Sequence, residues 1–300
     1  MQKPIESFHY RLAHPGYSVF PGAHPGQMVG SGQLFKRHEP LLASPDPRRI
    51  DLRASLLDPF QQYRVRVFQQ HSKLSVYVIA DLSTSMVDKL TALGELVLSA
   101  AQSALQMGDS FGFIGCGHAI DHQWILPAGS AMQPVRALVN RLQTLRAQSR
   151  AESLSQVAPL LPHKRCLVLL VTDCHFSLQK LQAILQPLTP HVVAPIVWWH
   201  TNEYSDLPDW GLVRFKDAES RRSRTLWMRP VMKQRIIQAF EQRRLQLRQC
   251  FRAYGMEPLF LNDDYRAETL NRYFQQQALC QRWTRIAFKS NLYCKLYVLG

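Results

Sequence analysis

The stretch SVYVIAD, residues 75–81, followed by LSTSM, residues 82–86, decides the fold. The first part is a short apolar run rich in β-branched residues, which is typical of a strand buried on both faces. Residues 87–107 then carry apolar side chains at helical spacing, so a helix is predicted to follow the strand directly. CLVLLVTD, residues 166–173, is a second run of the same kind and also ends in an aspartate. Two buried strands of this type predict an α/β fold.

Strands and helices alternate along the chain from Ser75 onward. Further strands are predicted at FGFIGCG, IDHQWILP, residues 192–199, LVRFKD, RTLWM and EPLFLN, and helices at residues 132–145, 153–161, 178–185, 231–254 and 267–274. This alternation predicts a doubly wound, mostly parallel sheet of Rossmann-like topology. We assign residues 74–278 to this domain and residues 279–300 to a C-terminal tail.

Residues 1–73 have a different composition and are interpreted as an N-terminal extension. Glycine and proline are dense up to Pro47, so regular structure there is expected to be short. A basic stretch follows, and residues 63–68 alternate well enough to form a strand.

Composition and charge exclude several classes of protein. Of the 300 residues, 46% are hydrophobic, which is enough for a sizeable core, and a net charge of +14 favours acidic partners. The six cysteines lack zinc-site spacing, the N-terminus lacks the apolar region of a signal peptide, and the apolar runs are too short to span a bilayer. We therefore expect a cytoplasmic protein without a membrane span.

Oxygen-bearing side chains follow both buried strands at the point where each strand ends. Asp81 and Asp173 close the two strands, and Ser83 and Ser85 follow Asp81 at a spacing of two. Ligands of doubly wound sheets sit at the carboxyl ends of the strands, and an all-oxygen shell suits Mg²⁺, Mn²⁺ or Ca²⁺ rather than Zn²⁺. The alternative interpretation is structural, with Ser83 or Ser85 as the N-cap of the next helix.

The string DLSTSM resembles the metal-ion-dependent adhesion site of von Willebrand factor A domains, whose pattern is D-x-S-x-S, then a threonine, then an aspartate. The resemblance implies that Asp81, Ser83, Ser85 and Asp173 hold a divalent metal, with Mg²⁺ first among the candidates. The family's threonine falls on Ser153, which keeps the hydroxyl group.

A wider resemblance covers roughly residues 8 to 276. PDPRRIDLRASLLDPFQQYRVRVFQQH, residues 45–71, is similar to the signature of the bacterial domain-of-unknown-function-58 family, with Arg49, Ile50 and Asp51 matching and Leu52 replacing a tryptophan. The resemblance implies an adaptor that binds through its metal to an acidic residue of a partner. Members of the family work beside MoxR-type AAA+ ATPases in maturation or metal insertion of client enzymes, in some cases methanol dehydrogenase.

Two other functions are left open by the sequence. A metal-dependent hydrolase would need a general base near the ion, and His175 is the candidate, although no catalytic constellation is apparent. A nucleic-acid-binding module would explain the +14 charge, but no nucleic-acid or nucleotide motif occurs and nucleic acid is disfavoured as a partner. The arginines of residues 48–66 and of the helix at 231–254 are interpreted as solvated faces or a docking surface.

Overall fold

The N-terminal extension contains a small antiparallel sheet. The computed structural model describes residues 5–10, 24–30, 34–43, 45–145, 152–216 and 223–289. The extension holds β1 (His24–Gly30), β2 (Leu34–Pro40), a short helix α1 (Leu52–Leu56) and β3 (Arg64–Ser72), and the strand order is β1-β3-β2. The sequence predicted only the strand at 63–68. The two flanking strands were missed because edge strands tolerate the glycine and proline that argue against a strand elsewhere.

The rest of the described chain is built around a six-stranded sheet. Its elements are β4 (Ser75–Asp81), α2 (Leu90–Gln106), β5 (Ser110–Cys116), β6 (Ile120–Gly129), α3 (Met132–Gln143), β7 (Leu167–Thr172), α4 (Leu178–Leu185), β8 (Val192–Trp199), β9 (Gly211–Lys216), β10 (Ser223–Met228), α5 (Pro230–Ala253), β11 (Leu259–Asn262) and α6 (Ala267–Lys289). The strand order is β11-β8-β7-β4-β5-β6, with β6 antiparallel to β5 and the other pairs parallel. Strands β9 and β10 pair separately as an antiparallel hairpin. The predicted α/β fold with a mostly parallel sheet is confirmed.

Helices cover both faces of this sheet. Val76 and Val78 of β4 belong to the apolar core formed with α2, α3 and α6, whereas Tyr77 and Ile79 belong to the core formed with α4 and α5. The alternation follows from the two-residue period of a strand, and it explains why SVYVIAD is apolar almost throughout. Strand β5 pairs with one edge of β4, and β7 pairs with the opposite edge. A crevice is therefore expected at the carboxyl ends of β4 and β7.

Three predicted helices have different bounds in the structure. A 3-10 helix, Thr84–Lys89, precedes α2, so the α-helix starts three residues later than predicted. The predicted helix at 153–161 consists of two 3-10 turns, because Pro159 has no N–H group to continue an α-helix. Helix α6 runs to Lys289 rather than ending at 274, which takes it into the predicted tail, and residues 290–300 lie outside the described chain.

Among the described helices, none combines the length and apolarity needed to cross a membrane.

Candidate metal-binding site

Asp81 lies at the carboxyl end of β4 with only 1% of its surface exposed. Its Oδ1 accepts a hydrogen bond from the backbone N–H of Ser83 at 2.8 Å, and its Oδ2 accepts one from the hydroxyl of Thr172 at 2.9 Å. Thr172 is the last residue of β7, so this second bond joins the ends of the two strands. The carboxylate is held in one orientation from both sides.

Ser83 occupies the N-cap position of the 3-10 helix, but its side chain makes no capping hydrogen bond. The hydroxyl oxygens of Ser83 and Ser85 instead lie 3.0 Å apart. A pair of facing hydroxyls keeps lone pairs available for a further partner. The structural interpretation of Ser83 as a capping side chain is therefore not what the geometry shows.

Asp173 follows β7 directly and is also buried, with 2% of its surface exposed. Its Oδ1 accepts a hydrogen bond from the N–H of His175 at 3.1 Å, and the indole of Trp199 donates to its backbone carbonyl at 2.8 Å. Cys174 turns the chain here with a φ of 55°, a conformation that costs a residue other than glycine about 1 kcal/mol or more. The Oδ2 atom of Asp173 is buried and has no hydrogen-bond partner among the described residues.

The two carboxylates repel each other in a dry environment. Burial, with the charge of Asp173 as the next cause, raises the pKa of Asp81 to about 6. A cation would neutralise two carboxylates that are buried in this way, and the hydroxyl oxygens of the neighbouring serines suit a hard cation. Among the described residues, no three His, Cys, Asp or Glu side chains are grouped closely enough to bind a metal. A metal here would be held by two carboxylates together with hydroxyls.

Ser153 lies beside the end of the neighbouring strand β5. Its hydroxyl donates to the carbonyl of Gly117 at 2.8 Å, and its N–H donates to the same oxygen at 3.1 Å. Cys116, which precedes Gly117, pairs in register with Asp81. The structure thus brings Ser153 to the same edge of the sheet as the four other predicted ligands, with its hydroxyl proton donated to Gly117.

Three side chains next to the site were not predicted as functional. Thr172 orients Asp81, as described above, and its hydroxyl also accepts from the N–H of Cys174 at 3.1 Å. Lys89 is 1% exposed, and its Nζ lies 2.9 Å from both the carbonyl of Trp198 and Oε1 of Glu203. Lys89 falls three residues after Met86 and four before Leu93, which is the apolar spacing of the helix and was the available signal. Nothing near Glu203 in the sequence marks that residue.

The side chain of His175 is held in place by Glu203, which also binds Lys89. Its Nε2 lies 3.1 Å from Oε2 of Glu203, and its ring stacks on Trp199 at a centroid distance of 6.3 Å. Burial alone would lower the pKa of His175, but the hydrogen bond to Glu203 and the charge of Asp173 outweigh burial and raise it. For Glu203, burial opposes ionisation, yet His175 and Lys89 lower the pKa to about 2. The Lys89–Glu203–His175 network therefore ties the loop after β8 to the loop that carries Asp173.

Replacing Thr172 with valine, which has the same shape, is expected to destabilise the protein by about 1–3 kcal/mol. The change removes the donor to Asp81 and the acceptor for the buried N–H of Cys174. If Asp81 binds a metal, affinity should also fall by about tenfold, because its carboxylate loses its orientation. Urea unfolding measures the first effect and titration with Mn²⁺ the second. Thr189→Val, at an exposed hydroxyl that bonds only its own turn, is the control.

Comparisons with known proteins place the site within a matched region. Residues 46–249 match the family model described as "Protein of unknown function DUF58". The chain is similar to the "Uncharacterized protein in moxR 3'region" of Paracoccus denitrificans, with 32% identity over 100 residues, covering 33% of this chain and 94% of that protein. Similar solved structures include an aerotolerance-related membrane protein from Bacteroides fragilis (TM-score 0.42, 13% identity, covering 69% of this chain and 99% of that one). The hypothetical protein BatB from Bacteroides thetaiotaomicron gives a TM-score of 0.37 and 11% identity, covering 70% and 99%.

Proposed function

We propose that this chain, which belongs to the DUF58 family of proteins of unknown function, is a metal-dependent protein-binding adaptor rather than an enzyme. In this proposal the α/β domain is von Willebrand factor A-like, and its metal-ion-dependent adhesion site binds a partner protein. The partner is an AAA+ ATPase of MoxR type, or the client enzyme whose maturation or metal insertion the two proteins assist. A methanol dehydrogenase-like enzyme is one such client, and the complex is cytoplasmic.

The observation that carries the proposal is the unpartnered Oδ2 of Asp173 beside the buried carboxylate of Asp81. A divalent cation would satisfy that oxygen and relieve the repulsion between the two carboxylates. Mg²⁺ is our first choice and Mn²⁺ or Ca²⁺ the alternatives, held by Ser83, Ser85 and Ser153 with the two aspartates directly or through water. Where the direct ligands are neutral hydroxyls, the ion retains positive charge, which favours an Asp or Glu from the partner.

Support for the partner comes from the Paracoccus denitrificans relative, whose name places it in the moxR 3' region. In the family that the sequence resembles, members work beside MoxR-type proteins, which are AAA+ ATPases.

The test is a pull-down from the cell's own lysate in Mg²⁺ and in EDTA, with Ser83→Ala/Ser85→Ala as the variant and Ser155→Ala as the control. Ser155 is exposed and bonds only the carbonyl of Glu152. An AAA+ ATPase or its client should be retained with Mg²⁺ by the wild type and the control, and lost with EDTA or with the double variant. Recovery of the same partners in EDTA would show that binding does not require the metal. Calorimetric titration with Mg²⁺ and Mn²⁺ checks the ion itself.

A further inference from the structure

Large apolar side chains are exposed at one end of the N-terminal sheet. Seven of the thirteen exposed large hydrophobic side chains in the described chain fall within residues 35–63, so the exposure is concentrated rather than scattered. Six of them we call the apolar tip: Leu42 (93% exposed), Leu52 (67%), Leu56 (86%), Leu57 (84%), Phe60 (77%) and Tyr63 (60%). Side chains with these exposures project outward and do not line a cleft.

Backbone hydrogen bonds bring the apolar tip together. The N–H of Leu41, next to Leu42, donates to the carbonyl of Tyr63 at 2.8 Å. The N–H of Asp51, which precedes α1, donates to the carbonyl of Arg64 at 2.8 Å. The end of β2, the start of β3 and helix α1 therefore meet at one place. The segments that carry the tip residues are therefore neighbours in the fold.

The exposure is not a result of loose local structure. Asp51 caps α1 by accepting from the N–H groups of Arg53 and Ala54 at 3.1 and 3.2 Å. Ser55 donates to the carbonyl of Asp51 at 2.7 Å and accepts from the N–H of Arg64 at 2.8 Å. A helix of five residues would be unstable alone, so these bonds hold the leucines outward against the tendency to bury them.

The charged side chains that face solvent beside the apolar tip are positive. Residues 34–66 contain seven basic and four acidic side chains, and all four acidic ones pair with arginines of the same region. Hydrogen bonds from Arg66 and Ala54 hold the pKa of the Asp51 carboxyl far below its usual range, so Asp51 stays ionised and internally engaged. Arg48 and Arg53 are exposed and form no ion pair with any described residue. Their charge faces outward next to Leu52.

We propose that the apolar tip docks on the surface of an anionic lipid bilayer. Projecting leucine and aromatic side chains enter the boundary between headgroups and acyl chains, while Arg48 and Arg53 contact the anionic headgroups. A second copy of this chain is disfavoured, because the same cations would face each other. A protein partner would need pockets for several projecting side chains, whereas a bilayer adapts to them. The attachment is peripheral and independent of the metal site.

The test is flotation of the full-length protein with vesicles of phosphatidylcholine alone and of phosphatidylcholine mixed with phosphatidylglycerol. The wild type should bind the mixed vesicles and be released by high salt. Leu56→Ser/Leu57→Ser should lower partitioning by about tenfold or more. Arg48→Ser/Arg53→Ser should lower it by about tenfold to thirtyfold, since each arginine near an anionic surface contributes about fivefold.

The matched control is Val231→Ser/Leu245→Ser on α5, where the two side chains are 61% and 55% exposed outside the tip. This pair should bind as the wild type does, and thermal unfolding should show that all variants are folded. Failure of the wild type to bind mixed vesicles overturns the proposal and leaves an acidic protein as the occupant of the tip. Binding that neither tip variant weakens, or that the control weakens equally, also overturns it.

Discussion

Asparagine at position 81 is expected to stabilise the metal-free protein at pH 7 by about 2 kcal/mol and to weaken metal binding on the order of a hundredfold. The pKa of Asp81 is raised to about 6, mainly by burial and then by Asp173. The folded state therefore binds a proton at this position more tightly than the unfolded state does. Keeping Asp81 ionised costs stability above pH 6, and the cost disappears as the pH falls toward 4.

Asparagine fits the hydrogen bonds that the aspartate makes. Its carbonyl oxygen can accept from the N–H of Ser83, as Oδ1 of Asp81 does. Its amide group can donate to the hydroxyl of Thr172, which has two lone pairs and uses one for the N–H of Cys174. The substitution thus removes the charge and keeps the contacts, which is why stability should rise while the affinity for a cation falls.

Urea unfolding in EDTA at pH 7 and pH 5 measures the effect, and addition of Mg²⁺ measures the loss of metal binding. The advantage of Asp81→Asn over the wild type should shrink at pH 5, and Mg²⁺ should stabilise the wild type but not Asp81→Asn. Asp121→Asn is the control, because Asp121 is exposed and bonds only Gln123. A variant less stable than the wild type in EDTA at pH 7 would contradict the electrostatic account of the site.

The central sheet was predictable because its strands have two independent signals. β4 and β7 are short apolar runs, and an aspartate is the last residue of β4 and directly follows β7. The β1 and β2 strands lack both signals, since their sequences are rich in glycine, proline and charge. They are stabilised by pairing with β3, which is a property of the fold and not of their own composition.

The candidate site was predictable to the extent that its residues are adjacent in sequence. Asp81, Ser83 and Ser85 follow one strand, and Asp173 follows another, so the rule for strand ends placed them together. Ser153 came from the resemblance alone. The bond from Thr172 to Asp81 crosses between strands far apart in sequence, and a strand-ending threonine is too common to mark such a role.

The role of the buried Lys89 could not be predicted from sequence either, because its partners, Trp198 in β8 and Glu203 after it, are far away in the chain. Lys89→Met is expected to lower the free energy of unfolding by about 3 kcal/mol. Methionine fills a similar volume but leaves the carbonyl of Trp198 and Oε1 of Glu203 without the donor that lies 2.9 Å from each. Glu203, whose pKa is about 2, would stay ionised in a half-buried position, with His175 and the N–H of His200 as its remaining partners.

Urea unfolding of Lys89→Met, Glu203→Gln and the double variant separates the contribution of the Lys89–Glu203 ion pair to stability from the effect of changed packing. The double variant should be more stable than Lys89→Met, because it removes the carboxylate that has lost its partner. Lys164→Met, at an exposed lysine, is the control. Metal affinity should also decrease in Lys89→Met, because Glu203, without Lys89, holds His175 less firmly beside Asp173. A loss below about 1 kcal/mol would mean that solvent reaches Lys89 and that the network does not hold the site together.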